Sequence, residues 1–199
     1  MAVFENFKDS NGLWAKRSTI NSERQFTKSG LVWRNMCNRC TYGGVHQAQF
    51  PTYIGCTMSE NFKDFQFFVE WHQEQIGFNE KNYHLDKDIL IPGNKLYSEE
   101  TCVLVPAALN AFFITSKVNQ GAFPQGVCWH EQSARYVAQI NISSKLKNIG
   151  RFRTVVEAKN AYDSAKRAET QRWIARLESK EFLVDIRVIC ALKLLGAEC

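Results

Sequence analysis

His84, Asp86, Lys87 and Asp88 crowd into one short stretch: an imidazole and two carboxylates around an ammonium. Side chains of these types can move a proton, hold a divalent cation or tie a loop together by charge. On an extended strand His84 and Asp86 share one face, and Lys87 points to the other. An ordinary lysine is protonated at neutral pH, and flanking carboxylates hold it so. Lys87 is therefore no general base unless burial lowers its pKa strongly, and His84 is the substitute within reach. The same four residues also suit a structural charge cluster that ties the loop near Lys95.

The elements around this cluster read as strand, loop, strand, helix. Tyr83 to Leu90 is the first strand with its polar end. Pro92-Gly93-Asn94 carries turn chemistry. Cys102 to Val105 is a short apolar run, and Pro106 suits the first turn of a helix containing Asn110. Upstream, residues 1–30 are polar and read as a loosely packed arm. Leu31 to Cys40 reads as a short helix, and Thr41 to Pro51 as a loop marked by Gly43-Gly44. Phe62, Phe65, Phe68, Val69 and Trp71 recur at helical spacing and are expected in the core. Cys37 and Cys40 stand at a zinc-like spacing that Cys56, Cys102 or His46 would have to complete. A lone pair is weak evidence, so plain buried cysteines are the favoured reading and structural zinc is not expected.

A different pattern follows a break around 116–125, where Gly121 and Pro124 lie. Gly126 to Glu131, Arg135 to Asn141 and Lys145 to Phe152 read as three strands. Thr154 and Glu157 form a capping box for a helix that carries Ala158, Ala161, Tyr162, Ala165 and Ala168. Alternation on the middle strand turns Tyr136, Ala138 and Ile140 toward that helix, and Arg135, Val137, Gln139 and Asn141 away from it. The tail from Phe182 to Leu195 has helical apolar spacing, which serves packing on the protein or a homodimer contact.

Of 199 residues, 45% are hydrophobic and 23% charged, enough for real cores. Net charge is +5, and its placement is uneven. Residues 1–120 hold 12 Lys+Arg and 12 Asp+Glu, whereas 121–199 hold 13 and 8. A basic C-terminal module suggests a polyanionic partner, nucleic acid before membrane. No apolar run reaches the roughly 20 residues of a membrane span. The Met1–Glu5 start is unlike a signal peptide, and seven scattered cysteines suit reduced thiols, so a cytoplasmic location is expected.

Two resemblances cover most of the chain. The stretch Leu-Asp-Lys-Asp-Ile-Leu, then Gly-Asn-Lys, Tyr-Ser, Thr-Cys, Val-Pro and Asn resembles the phage-encoded HNH (His-Me finger) proteins, many of them homing endonucleases. The similarity begins near Trp33 and runs through Tyr53-Ile54-Gly55-Cys56. It implies an α+β chain with an HNH-like ββα-metal core in a helical N-terminal domain. In that pattern a strand-end His activates water, and a carboxylate and a helix Asn hold magnesium or manganese. Asp86 and Asn110 match the metal ligands. Lys87 falls where His is expected, and Thr101 where many relatives have Asn. His84, Asp86, Lys87, Asp88 and Asn110 are thus the candidate catalytic residues.

Gly-Val-x-Trp at 126–129, Tyr-Val-Ala-Gln-Ile at 136–140, Ile-Gly-x-Phe at 149–152 and Glu-Ala-x-x-Ala-Tyr-Asp at 157–163 resemble the Apetala/ERF-type DNA-binding domain. It implies a three-stranded antiparallel sheet packed on one helix, with the outward strand positions on double-stranded DNA. Carried over, those positions are His130, Arg135, Gln139, Asn141 and Asn148. Lys145, Lys147, Arg151 and Arg153 are expected on phosphates. Cys128 stands where the plant proteins have Arg, so base preference does not carry over.

The expected organisation is an arm over 1–30, an HNH endonuclease-like domain over 31–118, the DNA-binding domain over 119–175 and a helical tail over 176–199. Two functions stay open. One is a metal-dependent DNA endonuclease acting in a phage-infected bacterial host. The other is a degenerate relative that only binds DNA, as a repressor or counter-defence factor.

Overall fold

A computed structural model describes residues 5–20, 23–113, 123–142 and 145–198. The fold is mixed α+β, and the chain divides into two compact units, Met1–Leu104 and Val105–Cys199. The domain boundary expected near 118 lies outside the described residues.

In the first unit a hairpin of β1 (Arg17–Ile20) and β2 (Glu23–Phe26) precedes α1 (Lys28–Cys40). Thr27 caps α1 by accepting from Gly30 N, and its hydroxyl also donates to Ala15 O at 3.0 Å. The described residues of the 1–30 stretch are therefore not the loose arm expected. Trp14 N and O both bond the side chain of Gln66, and the Lys16 ammonium sits 4.1 Å from the Trp33 ring centroid. The expected 41–51 loop also holds a short helix, α2 (Val45–Gln49). Buried Gln47 secures it by donating to Arg39 O and Tyr53 O.

The aromatic stripe is core, as its spacing predicts. A short strand, β3 (Thr57–Met58), leads into α3 (Glu60–Lys63) and α4 (Phe65–Glu74). Phe62, Phe65, Phe68 and Val69 are all buried. Full burial of each such side chain contributes about 1.5–3 kcal/mol. Asp64 breaks the expected single helix in two: it ends α3 and caps α4 through Gln66 N. Next come β4 (Tyr83–Asp86), β5 (Leu96–Tyr97) and β6 (Val103–Pro106). β5 pairs in parallel with β3, and β4 forms a two-stranded sheet with β6.

One polar chain runs through this core. Ser29 N donates to Asn6 Oδ1, so the Asn6 amide nitrogen faces Ser29 Oγ, at 2.6 Å. The Ser29 hydroxyl also forms a hydrogen bond with His72 Nδ1, 2.7 Å away. His72 is 1% exposed, and burial, with Lys28 nearby, lowers its pKa from 6.5 to about 3.

The second unit opens with α5 (Ala107–Phe113). The Lys166 ammonium bonds the Phe112 carbonyl and lies 3.5 Å from that ring's centroid. β7 (Val127–His130), β8 (Arg135–Ile142) and β9 (Lys145–Phe152) form an antiparallel sheet in the order β7-β8-β9. A 3-10 turn over Glu131–Ser133 and a left-handed Ala134 link the first two strands. The sheet packs on α6 (Val155–Glu178), whose Thr154–Glu157 capping box is fully formed. At Gly126 φ is +79°, and an added Cβ would lie 2.0 Å from the Tyr162 ring. This close approach seats the first strand on the helix.

The small-residue face expected on α6 is realised only in part. Ala158 and Tyr162 are buried, but Ala168 is exposed, and beyond it the buried line runs Thr170, Trp173, Ile174, Leu177. The helix continues unbroken past 175, and α7 (Ile186–Glu198) packs on it with Val188 and Leu192 at 0% exposure.

Two outcomes follow. His72 is neutral when folded and titrates near 6.5 when unfolded, so the unfolded state takes up the proton first. Stability is then complete above pH 6.5 and is lost as pH falls towards 3, by on the order of 4 kcal/mol. Urea titrations at a series of pH values measure this slope, which flattens in His72→Phe. Gly126→Ala meets both the ring and a positive φ, and destabilises by about 1–3 kcal/mol in the same titration.

Candidate functional site

The strand-end cluster is built by the pleat of β4. Leu85 and Lys87 point inward and are buried, whereas His84 and Asp86 share the outer side. Lys87 is 4% exposed. Its ammonium bonds both Asp88 carboxylate oxygens at 2.7 Å and the Asn94 carbonyl at 2.5 Å. Asn94 answers with its amide nitrogen on Lys87 O and Leu96 O. Asp86 Oδ1 accepts from Asp88 N and Ile89 N at 2.8 and 2.6 Å, which turns the chain out of β4. The loop tie thus runs to Asn94, while Lys95 reaches Thr52 O.

Asp86 is half-buried, and loss of solvation raises its carboxyl pKa. Its Oδ2 makes no hydrogen bond among the described residues. His84 is exposed at its edge; desolvation and then the Arg39 guanidinium lower its pKa, against the pull of Asp86. Arg39 packs 5.0 Å from the Tyr53 ring centroid, and its Nη1 donates to the hydroxyl of buried Tyr97. Arg39, which the sequence reading passed over, is therefore a cation whose charge reaches His84 and, more weakly, Asp86. Thr101, at the position expected to orient a base, instead bonds Leu96 O, Ser98 N and the Ser98 hydroxyl. Asn110 stands half-buried on α5, in the second unit.

Among the described residues no group of three or more His, Cys, Asp or Glu is placed to hold a metal ion. Cys37 and Cys40 are half-buried thiols, and burial pushes Cys40 and Cys102 up to about 12. At neutral pH they are protonated, not thiolate.

In the second unit the register decides which residues share a face, because directly opposed residues point the same way. His130 opposes Arg135, Cys128 opposes Val137, and Val137 opposes Arg151. A β-bulge follows Ala138; after it Gln139 opposes Asn148 and Asn141 opposes Leu146. His130, Arg135, Gln139, Asn141, Asn148 and Arg151 therefore gather on one outer face, with Cys128 and Leu146 among them. Val137 belongs to this face but is 3% exposed, flanked by Cys128 and Arg151. Lys147 opposes Ile140 and Lys145 opposes Ile142, so both lysines fall on the helix side of the sheet and remain exposed. Arg153 is exposed just past β9. His130 Nδ1 meets Ser133 Oγ at 3.0 Å. Leu146 was missed because an apolar residue in an alternating strand reads as core; only its register partner shows the side it takes.

No family model, curated protein or solved structure matches this chain.

The burial of Lys87 makes a direct forecast. Lys87→Met leaves Asn94 O without its ammonium and frees Asp88, whose side chain is 49% exposed. The loss is about 1–3 kcal/mol in urea denaturation, without any gain of proton-transfer chemistry.

Proposed function

We propose that this protein binds double-stranded DNA through the outer face of the β7-β8-β9 sheet. The observation that carries the reading is the register, which gathers Arg135, Gln139, Asn141, Asn148 and Arg151 on one face. Residues 127–153 hold five Lys+Arg against one Asp+Glu, the charge balance a phosphate backbone attracts. A three-stranded sheet fits the major groove, where every base pair is distinguishable. The resemblance to the Apetala/ERF-type domain supports the same use of this face, and a bacterial cytoplasm carrying phage DNA is the proposed setting.

A second reading adds cleavage by an HNH-like ββα-metal core. It is favoured by His84 and Asp86 lying on one side of β4 within electrostatic range of Arg39. Of the two ligands the resemblance implies for magnesium or manganese, Asp86 belongs to the first unit and keeps one oxygen clear of its backbone bonds, and Asn110 belongs to the second. Such an ion supplies charge stabilisation at the phosphate. His84 would take a proton from a water whose oxygen bonds phosphorus as the P–O bond to the leaving sugar oxygen breaks, that oxygen taking a proton from solvent, and Arg39 would hold the phosphate. Lys87 takes no part, since its ammonium is spent on Asp88 and Asn94.

A gel-shift series on duplex DNA at rising salt tests the first reading. The expected result is a shift that weakens steeply with salt, with the Arg135→Ala/Arg151→Ala pair costing roughly tenfold and flattening the salt slope by one to two. No shift on any duplex removes the reading. For the second, plasmid is incubated with magnesium or manganese. Nicks that disappear in a folded Asp86→Ala variant support cleavage, and a shift without nicks leaves binding alone.

A further inference from the structure

The outer face of the sheet is not uniform. Its register sorts it into two chemically different ends. At one end stand Arg135 and His130, with Arg151 one row further along. At the other stand three carboxamides, Gln139, Asn141 and Asn148, with Leu146 directly opposite Asn141. Leu146 is 67% exposed, and Asn141 and Asn148 are also exposed. The row of Arg151 also holds covered Val137 and exposed Cys128, whose Sγ is 3.9 Å from Gln139 Oε1.

Each of these groups has a preferred partner in the major groove. A carboxamide pairs both its donor and its acceptor with adenine N7 and N6, and a guanidinium pairs two donors with guanine O6 and N7. An exposed aliphatic side chain meets the thymine methyl, which only an A·T pair presents. An amide end with a leucine beside it is therefore complementary to A·T pairs, and to both bases of the pair at once. The arginine end suits guanine or phosphate.

Resting on the DNA-binding reading, we propose that this face is a composite reader: Gln139, Asn141, Asn148 and Leu146 select A·T base pairs, beside a guanine-or-phosphate contact made by Arg135 and Arg151. Along β8, Arg135 and Gln139 are four residues apart, roughly 13 Å, on the order of four base-pair steps. The preferred site is thus an A·T block next to, and within about half a turn of, the arginine contact. Three residues choose adenine and one senses the thymine methyl.

The experiment uses the full chain and fluorescent duplexes at one fixed salt concentration. Binding is first selected from a randomised duplex pool, and the selected site is then altered. The selected site should contain an A·T block, and replacing one of its A·T pairs by G·C should weaken binding about tenfold. Replacing thymine by uracil, which lacks the methyl, should weaken the wild type by several-fold and leave Leu146→Ala unmoved. The Gln139→Ala/Asn141→Ala pair should lose the A·T preference while keeping salt-sensitive binding to every duplex. A G·C-rich site, or an A·T preference untouched by these variants, overturns the inference and leaves DNA binding standing. Absence of binding to any duplex overturns both.

Discussion

A lysine side chain that is almost wholly buried must have its charge answered, and the answer given to Lys87 shapes the first unit. The ammonium draws in the Asp88 carboxylate and the Asn94 carbonyl from seven residues away. Asn94 then binds back to Lys87 O and Leu96 O, which sets where β5 begins. Asp86 turns the chain to allow this by accepting two backbone N–H groups. One buried charge thus fixes a whole loop. It also commits the Lys87 ammonium and the Asp88 carboxylate to holding that loop.

The second unit is governed by a different constraint. A three-stranded sheet has two faces, and α6 takes one of them. Gly126 permits this by letting the Tyr162 ring approach its backbone, and Ala158 by adding almost no bulk. The polar positions of the opposite face carry no helix among the described residues. The bulge after Ala138 decides which residues of β9 join them, since one additional residue reverses the side of everything beyond it.

Much of this is written locally in the chain. The Thr154–Glu157 capping box, the Phe62–Trp71 stripe and the alternation of β8 each involve near neighbours, so the sequence displays them directly. What was hidden depends on distant partners. Residues 1–30 read as an arm because the described part of them is tied by partners beyond it, Trp33, Gln66 and His72. The helix α2 is too short to show a period, and its anchor is a single buried glutamine. The sides taken by Lys145, Lys147 and Leu146 follow from the bulge, which has no mark in composition. Among the polar residues near His84, the charge-cluster reading of Lys87 was legible, but the role of Arg39 was not, as it arrives from α1.

The placement of Lys145 and Lys147 has a bearing on solubility. β9 is an edge of its sheet, and an edge strand offers unpaired backbone groups to any other strand that meets it. Two exposed lysines and Arg151 along that strand make a second copy approach like against like. The β9 edge therefore resists templated stacking of one chain on the next.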